Sequence, residues 1–434
     1  MIYISLGSNL GNRLANLRQA IILLKDNILS NSYESIIIET KALLKSNSPK
    51  EWDTPYLNMI IAGETTLPPA ELLQKLKDIE CKLGRNIKAE KWAPRLIDLD
   101  IIIYDEQIIN QTGLQIPHSE LPNRDFLIHL LALMPKQYLP RLNIHQNFVR
   151  ADEYAHNNID CSKLFSRSFT LGPEILGIIN ITEDSFSDGG KNFAPETAIN
   201  NAYKMVDDGA EIIDLGAQST RPGGIEIIGP EKEYERLAPV LDGIKNINAK
   251  ISIDSYHPQL IRKVIANHKV DWINDVTGNL DDDILRDIAA AGIKILTMHS
   301  LSIPPSKATI LPHTLSATSS IQIWSDKILE QMLRCGFDAN DVIIDPGIGF
   351  GKSIYQNLEL IREVGVLRTS GCKLLVGHSR KSFIGGFYDG KAHERDLETI
   401  AISSKLAKSG ADYIRIHNIR DHHRSLVADK VSYI

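Results

Sequence analysis

Glu174-Ile175-Leu176-Gly177-Ile178-Ile179-Asn180 is a short apolar run that ends on a polar side chain, and the same unit returns down the rest of the sequence. The runs are Ile175–Ile179, Glu211–Leu215, Lys250–Ile253, Trp272–Asn274, Lys294–Met298, Val342–Ile344, Lys373–Val376 and Tyr413–Ile416. Each is followed by a loop and then by apolar residues at helical spacing. Eight such units over about 260 residues predict an α/β fold, the (β/α)8 TIM barrel, whose usual length is near 250. A doubly wound open sheet is the structural alternative, but no G-x-G-x-x-G follows the first run.

The polar residues at the run ends carry the functional reading. They are Asn180, Asp214, Asp254, Asn274-Asp275, His299, Asp345, His378–Lys381 and Arg415 with His417. One such residue would be read as a helix cap or a loop hydrogen-bonder. A full ring of them at the C-terminal mouth, where barrels carry active sites, reads as a site. Sorted by charge, Asp254, Asn274 and Asp345 suit the donor-rich edge of a guanidine-like heterocycle. Arg221, Lys381, Arg415 and His417 suit phosphates. Asn180–Gly190 has the small polar residues of a mobile lid. Gln218–Gly224 adds a hydroxyl pair and an Arg. Asp345–Lys352 imitates a P-loop but has Pro346 where Walker A needs its first Gly.

Upstream of the barrel, Ile2–Leu6, Tyr33–Thr40, Tyr56–Thr66 and Leu96–Tyr104 read as strands. Leu14, Leu17, Ile21, Leu24 and Ile28 mark one helix, and Pro68-Pro69 opens another with Leu72, Leu73, Leu76, Ile79 and Leu83 as its stripe. The order β-α-β-β-α-β predicts an α+β, ferredoxin-like domain. Phe126–Met134 adds a helix, while 140–170 is polar and aperiodic. The expected division is 1–158, a linker at 159–172, and 173–434.

Asp98 and Asp100 stand two apart in a strand and so share a face. Side-by-side carboxylates repel unless a cation lies between them, and Mg²⁺ is the natural occupant. An isolated Asp-x-Asp would be a solvent-facing alternation. Here Arg85, Lys88, Trp92 and Arg95 lie just upstream in a loop suited to closing over a nucleotide. Positioned substrates, metal and cations are what phosphoryl-type transfer asks of a protein.

The 434 residues carry a net charge of −6 with scattered Lys and Arg, which argues against a nucleic-acid or membrane-surface partner. Four cysteines without a C-x-x-C pair suit a reducing compartment, and no secretory or transit pattern opens the sequence, so a cytoplasmic enzyme is expected.

The segment 1–150 resembles 6-hydroxymethyl-7,8-dihydropterin pyrophosphokinase through Gly7-Ser8-Asn9, Tyr56-Leu57-Asn58, Gly84-Arg85, Lys88–Arg95, Asp98–Ile101, Pro117-His118 and Asn123–Phe126. The resemblance implies transfer of the terminal diphosphate of ATP to the pterin hydroxymethyl group, releasing AMP. It implies two Mg²⁺ on Asp98 and Asp100, with Arg85 and Arg95 catalytic beside them. It gives Glu80, Arg85, Lys88, Trp92, Arg95, His118 and Arg124 to ATP. Asn58 would bind the pterin between the rings of Tyr56 and Phe126. The sequence departs from the family where Lys41-Ala42 replaces Thr-Pro and where Ser119 follows the His.

Residues 173–434 resemble dihydropteroate synthase, most specifically through Asn180–Gly190, Ser219–Gly223, Asp345–Lys352 and Gly377–Ser382. The resemblance implies that 6-hydroxymethyl-7,8-dihydropterin diphosphate and 4-aminobenzoate are joined to 7,8-dihydropteroate by a dissociative route. The diphosphate leaves first, and the aniline nitrogen attacks the pterin methylene cation. Thr220, Asp254, Asn274, Asp345, Lys381, Arg415 and His417 would bind the pterin diphosphate, with Asp254 and Lys381 catalytic. One Mg²⁺ would sit at Asn180, and Ser219, Arg221 and Phe350 would shape the aminobenzoate pocket. Glu183, Gln218, Ser300 and His378 depart from the family pattern. A homodimer through the barrel is consistent with the resemblance.

The two resemblances name consecutive steps, which points to a bifunctional transferase of folate biosynthesis. The alternatives are a pterin-binding methyltransferase barrel, or one domain kept as a decayed scaffold.

Overall fold

The computed structural model describes residues 1–434 apart from 43, 45–47, 87–89, 91–92, 145–146, 161–163, 183–193, 219–227, 307–308, 369–370 and 433–434. It divides into two compact units, Met1–Leu171 with Leu426–Ile434, and Gly172–Ser425.

In the first unit β1 (Ile2–Ser8), β2 (Ser30–Glu34), β3 (Ile37–Thr40), β4 (Tyr56–Glu64) and β5 (Asp98–Tyr104) form an antiparallel sheet. Its path runs β3-β4-β1-β5, with β2 also on β4, the strand order of a ferredoxin-like sheet. The single strand expected over Tyr33–Thr40 is broken between β2 and β3. Two helices cover one face of the sheet. Arg13–Asn27 starts at Asn12, whose side chain accepts a 3.0 Å hydrogen bond from the Ala15 N–H, and it buries Leu14, Leu17, Ile21 and Leu24. Pro69–Lys82 begins on a proline, which lacks only an N–H that no helix would use there, and it buries Leu72, Leu76 and Ile79. Leu73 and Leu83, expected in the same stripe, are only half-buried.

The aperiodic stretch 140–170 is more ordered than its sequence suggests. After the hairpin β6 (Ile109–Gln111) and β7 (Leu114–Ile116), a second hairpin pairs β8 (Arg141–Ile144) with β9 (Asn147–Arg150). A helix, Ala151–Asn158, follows. The expected linker 159–172 then contains β10 (Ser168–Phe169), which adds to the edge of β3. Its signal is weak because two ladder residues and one buried Phe169 supply almost no periodicity.

The second unit is a closed parallel barrel of β11 (Glu174–Asn180), β12 (Ile212–Gly216), β13 (Lys250–Asp254), β14 (Trp272–Asp275), β15 (Lys294–Met298), β16 (Val342–Asp345), β17 (Lys373–Val376) and β18 (Tyr413–Ile416). Leu176, Ile212, Trp272, Leu296, Ile343, Leu375 and Tyr413 fill the interior as one buried layer. Trp272 and Tyr413 meet edge to face at 4.9 Å. Strand side chains alternate, so the residue two positions on from each of these points inward one layer higher. That next layer includes Asp214, Asn274, Asp345 and Arg415. The barrel's apolar plug therefore aims its polar residues at the C-terminal mouth.

Candidate active sites

A cavity of about 1300 Å³ in the first unit is lined by Tyr56, Asn58, Glu80, Arg85, Arg95, Asp98, Asp100, His118, Arg124 and Phe126, among others. Lys88 and Trp92 lie outside the described residues. On β5 the alternation buries Leu99 and turns Asp98 and Asp100 to the cavity, with side chains 25% and 27% exposed. Arg85 Nη1 lies 2.8 Å from Asp98 Oδ1, and Arg95 Nη1 3.2 Å from Asp98 Oδ2. Burial works against the Asp98 charge, but Arg95, Arg85 and Lys77 outweigh it and hold the carboxyl below its usual range. It is therefore ionised across the physiological range.

Glu80 sits differently. It is 2% exposed, accepts from the Leu99 N–H at 2.7 Å and from Lys77 Nζ at 2.9 Å, and pairs with Arg85. Burial nevertheless pushes its carboxyl up. This carboxylate braces β5 and orients the cations around it. Asn9 has a similar office: its Oδ1 accepts the Arg95 N–H at 2.8 Å and its Nδ2 donates to Thr54 Oγ1 at 2.9 Å. The Gly7-Ser8-Asn9 motif thus fixes the backbone that carries Arg95, a role its sequence did not disclose. Asn58 donates to Thr40 Oγ1 at 2.9 Å. Burial lowers the His118 imidazole, with Arg124 adding to the effect.

In the barrel mouth Arg415 spans two strands' worth of acid. Its Nε donates to Asp214 Oδ2 and its Nη2 to Asp254 Oδ2, each at 2.7 Å. Asp214, fully buried, also accepts from Ser252 Oγ at 2.6 Å and Asn274 Nδ2 at 3.1 Å. The division into an acidic-amide subsite and a basic one is thus corrected for Arg415, whose guanidinium is built into the acidic cluster. The cause is register: Asp214 and Arg415 occupy the same inward layer on strands either side of β11. Asp214 was visible as a run end but not as the hub of this network.

Burial pushes the Asp254 carboxyl up to about 7; Arg415 opposes the rise while Asp214 and Asp275 add to it. Asp345 is raised too, chiefly by burial, and its Oδ1 accepts the Gly347 N–H at 2.7 Å. Lys381 Nζ donates to the Ile348 carbonyl at 2.6 Å and lies 4.3 Å from the centre of the Phe350 ring. His417 Nδ1 is 2.9 Å from Ser379 Oγ. Asn180 closes β11 at the mouth. Thr220, with Ser219 and Arg221, falls outside the described residues, as do Glu183 and the rest of the expected lid to Gly190.

Two further side chains hold the mouth together. Lys352 is 8% exposed; its Nζ lies 3.0 Å from His299 Nδ1 and donates to the carbonyls of Phe350 at 2.9 Å and His299 at 3.3 Å. His378, which departs from the family pattern, is fully buried, with Nε2 2.9 Å from Ser403 Oγ. It fastens β17's end to the helix Asp396–Lys408 and does not face the mouth ring.

Residues 176–417 match the family model described as pterin binding enzyme, and residues 3–135 match that of 7,8-dihydro-6-hydroxymethylpterin-pyrophosphokinase. The "Folate synthesis bifunctional protein" of Chlamydia caviae is 36% identical over 98% of this chain and 97% of that one. This chain belongs to the bifunctional folate-synthesis family, pyrophosphokinase joined to dihydropteroate synthase. An Arabidopsis thaliana member is 32% identical, over 97% of this chain and 93% of its own. Among solved structures, the barrel is similar to Yersinia pestis dihydropteroate synthase with a sulfonamide drug complex, at 27% identity and a TM-score of 0.57, covering 62% of this chain and 97% of that one. It is also similar to the Anaplasma phagocytophilum enzyme with bound 6-hydroxymethylpterin-monophosphate, at 29% identity and 0.55, covering 60% and 100%. Two whole domains in the order of consecutive steps support a bifunctional transferase over a methyltransferase barrel. Among the described residues, no helix is long and apolar enough to cross a membrane.

Proposed function

We propose how this family's two reactions, diphosphate transfer from ATP to 6-hydroxymethyl-7,8-dihydropterin and condensation of the product with 4-aminobenzoate, are divided among the residues of this chain. The observation that carries the reading is that two separate polar constellations, one in each unit, match the two chemistries.

In the first cavity Asn58 would pair with the pterin edge while Tyr56 and Phe126 cover its faces. Arg85 and Arg95 would take the phosphate oxygens, and His118 and Arg124, with Lys88 and Trp92, the nucleotide. Asp98 and Asp100 fit two Mg²⁺: they are hard oxygen donors on one cavity face, and neighbouring cations hold Asp98 ionised. Mg²⁺ there would neutralise charge on the triphosphate. Arg85 and Arg95 now pair with Asp98, and ATP would draw them onto phosphate. Glu80 then acts through Lys77 and Arg85 and not by touching ATP.

In the barrel Asp254, Asn274 and Asp345 would receive the pterin's donors, and Lys381 would cover its ring edge. His417 and the remaining donors of Arg415 would hold the diphosphate, with Thr220. Asn180, one neutral oxygen donor at the mouth, fits an ion held chiefly by the diphosphate itself. The C–O bond to diphosphate breaks as negative charge gathers on the leaving group. The methylene cation that results lies in the field of Asp254 and Asp345, where low dielectric strengthens their stabilisation. The aniline nitrogen would then form the C–N bond to the methylene carbon from the side of Phe350, with Ser219 and Arg221, and lose one N–H proton to water or to the departed diphosphate.

We also infer a cytoplasmic enzyme, in keeping with free Cys81, Cys335 and Cys372. A homodimer through the barrel would cover apolar side chains such as Ile323, Tyr355 and Val366, which are 47%, 81% and 56% exposed. The deciding experiment gives the purified chain ATP, Mg²⁺, hydroxymethyldihydropterin and 4-aminobenzoate. AMP and dihydropteroate should appear in equal amounts, and AMP without dihydropteroate would refute the assignment of the barrel.

A further inference from the structure

The cavity of the first unit has a wall that the pyrophosphokinase family model does not include. That model ends at residue 135, yet Leu164, Phe165 and Ser166 line the cavity together with Thr40, Asn58 and Phe126. These three residues come from the expected linker, and the structure holds them firmly. The Ser166 N–H donates to the Glu39 carbonyl at 2.9 Å, and the Glu39 N–H to the Arg167 carbonyl at 2.8 Å. Ser168 and Phe169 then continue the ladder opposite Ile38 and Ile37. The Glu39 carboxylate, 5% exposed, clamps the same stretch through Ser166 Oγ at 2.8 Å and Arg167 Nη2 at 2.9 Å. Arg13 Nη2 pairs with the same carboxylate oxygen as Arg167, also at 2.9 Å. Buried, doubly paired carboxylates of this kind are costly to disturb, so the segment has one position.

The register shows which end of the cavity this wall serves. Ile38 pairs with Asn58 and Thr40 with Tyr56, so the strand that β10 extends is the cross-strand neighbour of the two residues assigned to the pterin. Phe165 also reaches the third, because its ring lies 5.7 Å from His129 on the helix whose first turn carries Phe126. We propose that Phe165, set by the β10–β3 ladder and the Glu39 clamp, is a pterin-end wall of the kinase site, so that the connector to the barrel is part of the first domain's specificity pocket. The ligand class is a flat bicyclic heterocycle, for which a third apolar ring limits how far the substrate can slide along the Tyr56–Phe126 slot. The proposal rests on the assignment of Tyr56, Asn58 and Phe126 to the pterin.

Steady-state kinase assays on the full chain test it with Phe165→Ala, Phe165→Leu and, in parallel, Asn58→Ala. Loss of the ring should raise KM for hydroxymethyldihydropterin by about fivefold. KM for ATP and the rate of condensation from preformed pterin diphosphate should stay within about twofold of the parent, the span ordinary assay scatter and indirect effects would cover. Phe165→Leu keeps apolar packing without the ring and should show a smaller rise in the same constant alone. A pterin KM unchanged in both Phe165 variants, with Asn58→Ala raising it, overturns the proposal and leaves the site assignment standing. No change in any of the three overturns both. An equal rise in the ATP constant also overturns it, since the wall would then serve the nucleotide.

Discussion

Replacing Asp214 by Asn keeps the shape of the barrel's buried hub and removes its charge. Arg415 loses one of its two carboxylates but keeps Asp254 at 2.7 Å, and the new amide oxygen still accepts a hydrogen bond. The loss is thus smaller than stripping a buried ion of its only partner. A charged hydrogen bond weakened in a buried network costs about 2 kcal/mol. For a barrel of this size that lowers the unfolding midpoint by about 5 °C. Arg415 and Asn274 both lose the anchor that aims them, and misplacement of that kind costs condensation up to about a hundredfold in kcat/KM.

The sharper readout is pH. On the proposed assignment Asp254 would bind the pterin's donors as a carboxylate, so condensation should fall as pH drops through its pKa, raised to about 7 by burial, with Arg415 opposing and Asp214 assisting. Removing the Asp214 charge removes one cause of the rise, so the acid limb of kcat/KM for the pterin diphosphate must move to lower pH. Arg415→Met removes the opposing cause and must move the limb the other way. Rates measured with preformed pterin diphosphate and 4-aminobenzoate, from pH 5.5 to 8.5 or about that span, decide it. An Asp214→Asn limb that stays put or moves up would refute the coupling.

Four other outcomes follow from the same geometry. Asp98→Ala should abolish AMP release and leave condensation from the preformed diphosphate intact, while Asp254→Ala should do the reverse; a variant losing both would contradict two independent sites. Lys352→Met leaves the carbonyls of His299 and Phe350 without their donor and should cost about 2–4 kcal/mol by chemical denaturation of the barrel, with kinase turnover unchanged. Gly347→Ala should lose condensation or soluble barrel altogether, because Gly347 has φ +68° and a Cβ there would come within 1.9 Å of the His299 carbonyl oxygen. Below about pH 7 the two-step reaction should accumulate pterin diphosphate, detectable by chromatography, since Asp254 protonates there and Asp98 does not.

The barrel was legible because parallel strands write continuous apolar runs and the fold puts their polar ends in one place. The pair Asp98 and Asp100 was legible for the same reason: period two is local. What the sequence hid is long-range. Arg415 meets Asp214 across 201 positions, and only the barrel's register sets them in one layer. Lys352 looked like the end of a glycine-rich loop, and its contact with His299 depends on two strand ends converging. Glu80 carries the ordinary pattern of a helix residue, yet the close approach of β5 turns it into a buried brace. The connector was hardest, since β10 has two residues and its position is fixed by a carboxylate on another strand.

The two proposed pterin sites have opposite electrostatic designs, with Asp98 held low in one and Asp254 raised in the other, and the chemistry accounts for the difference. Diphosphate transfer brings a polyanion to the cavity, so the carboxylates there must stay ionised to hold cations against it. Arg95, Arg85 and Lys77 keep Asp98 in that state while the site is still open to water. Condensation by the proposed dissociative route would instead pass through a cation on carbon, which bulk water would quench. A buried pocket protects it, but burial also pushes up the carboxyls of Asp254, Asp275 and Asp345. Arg415 limits that rise at Asp254, to whose carboxylate its Nη2 donates at 2.7 Å. An arginine placed among acids in a phosphate-leaving site is then no contradiction: it holds Asp254 closer to the charged state that the cation would need, and on the proposed assignment its remaining donors would take the departing diphosphate.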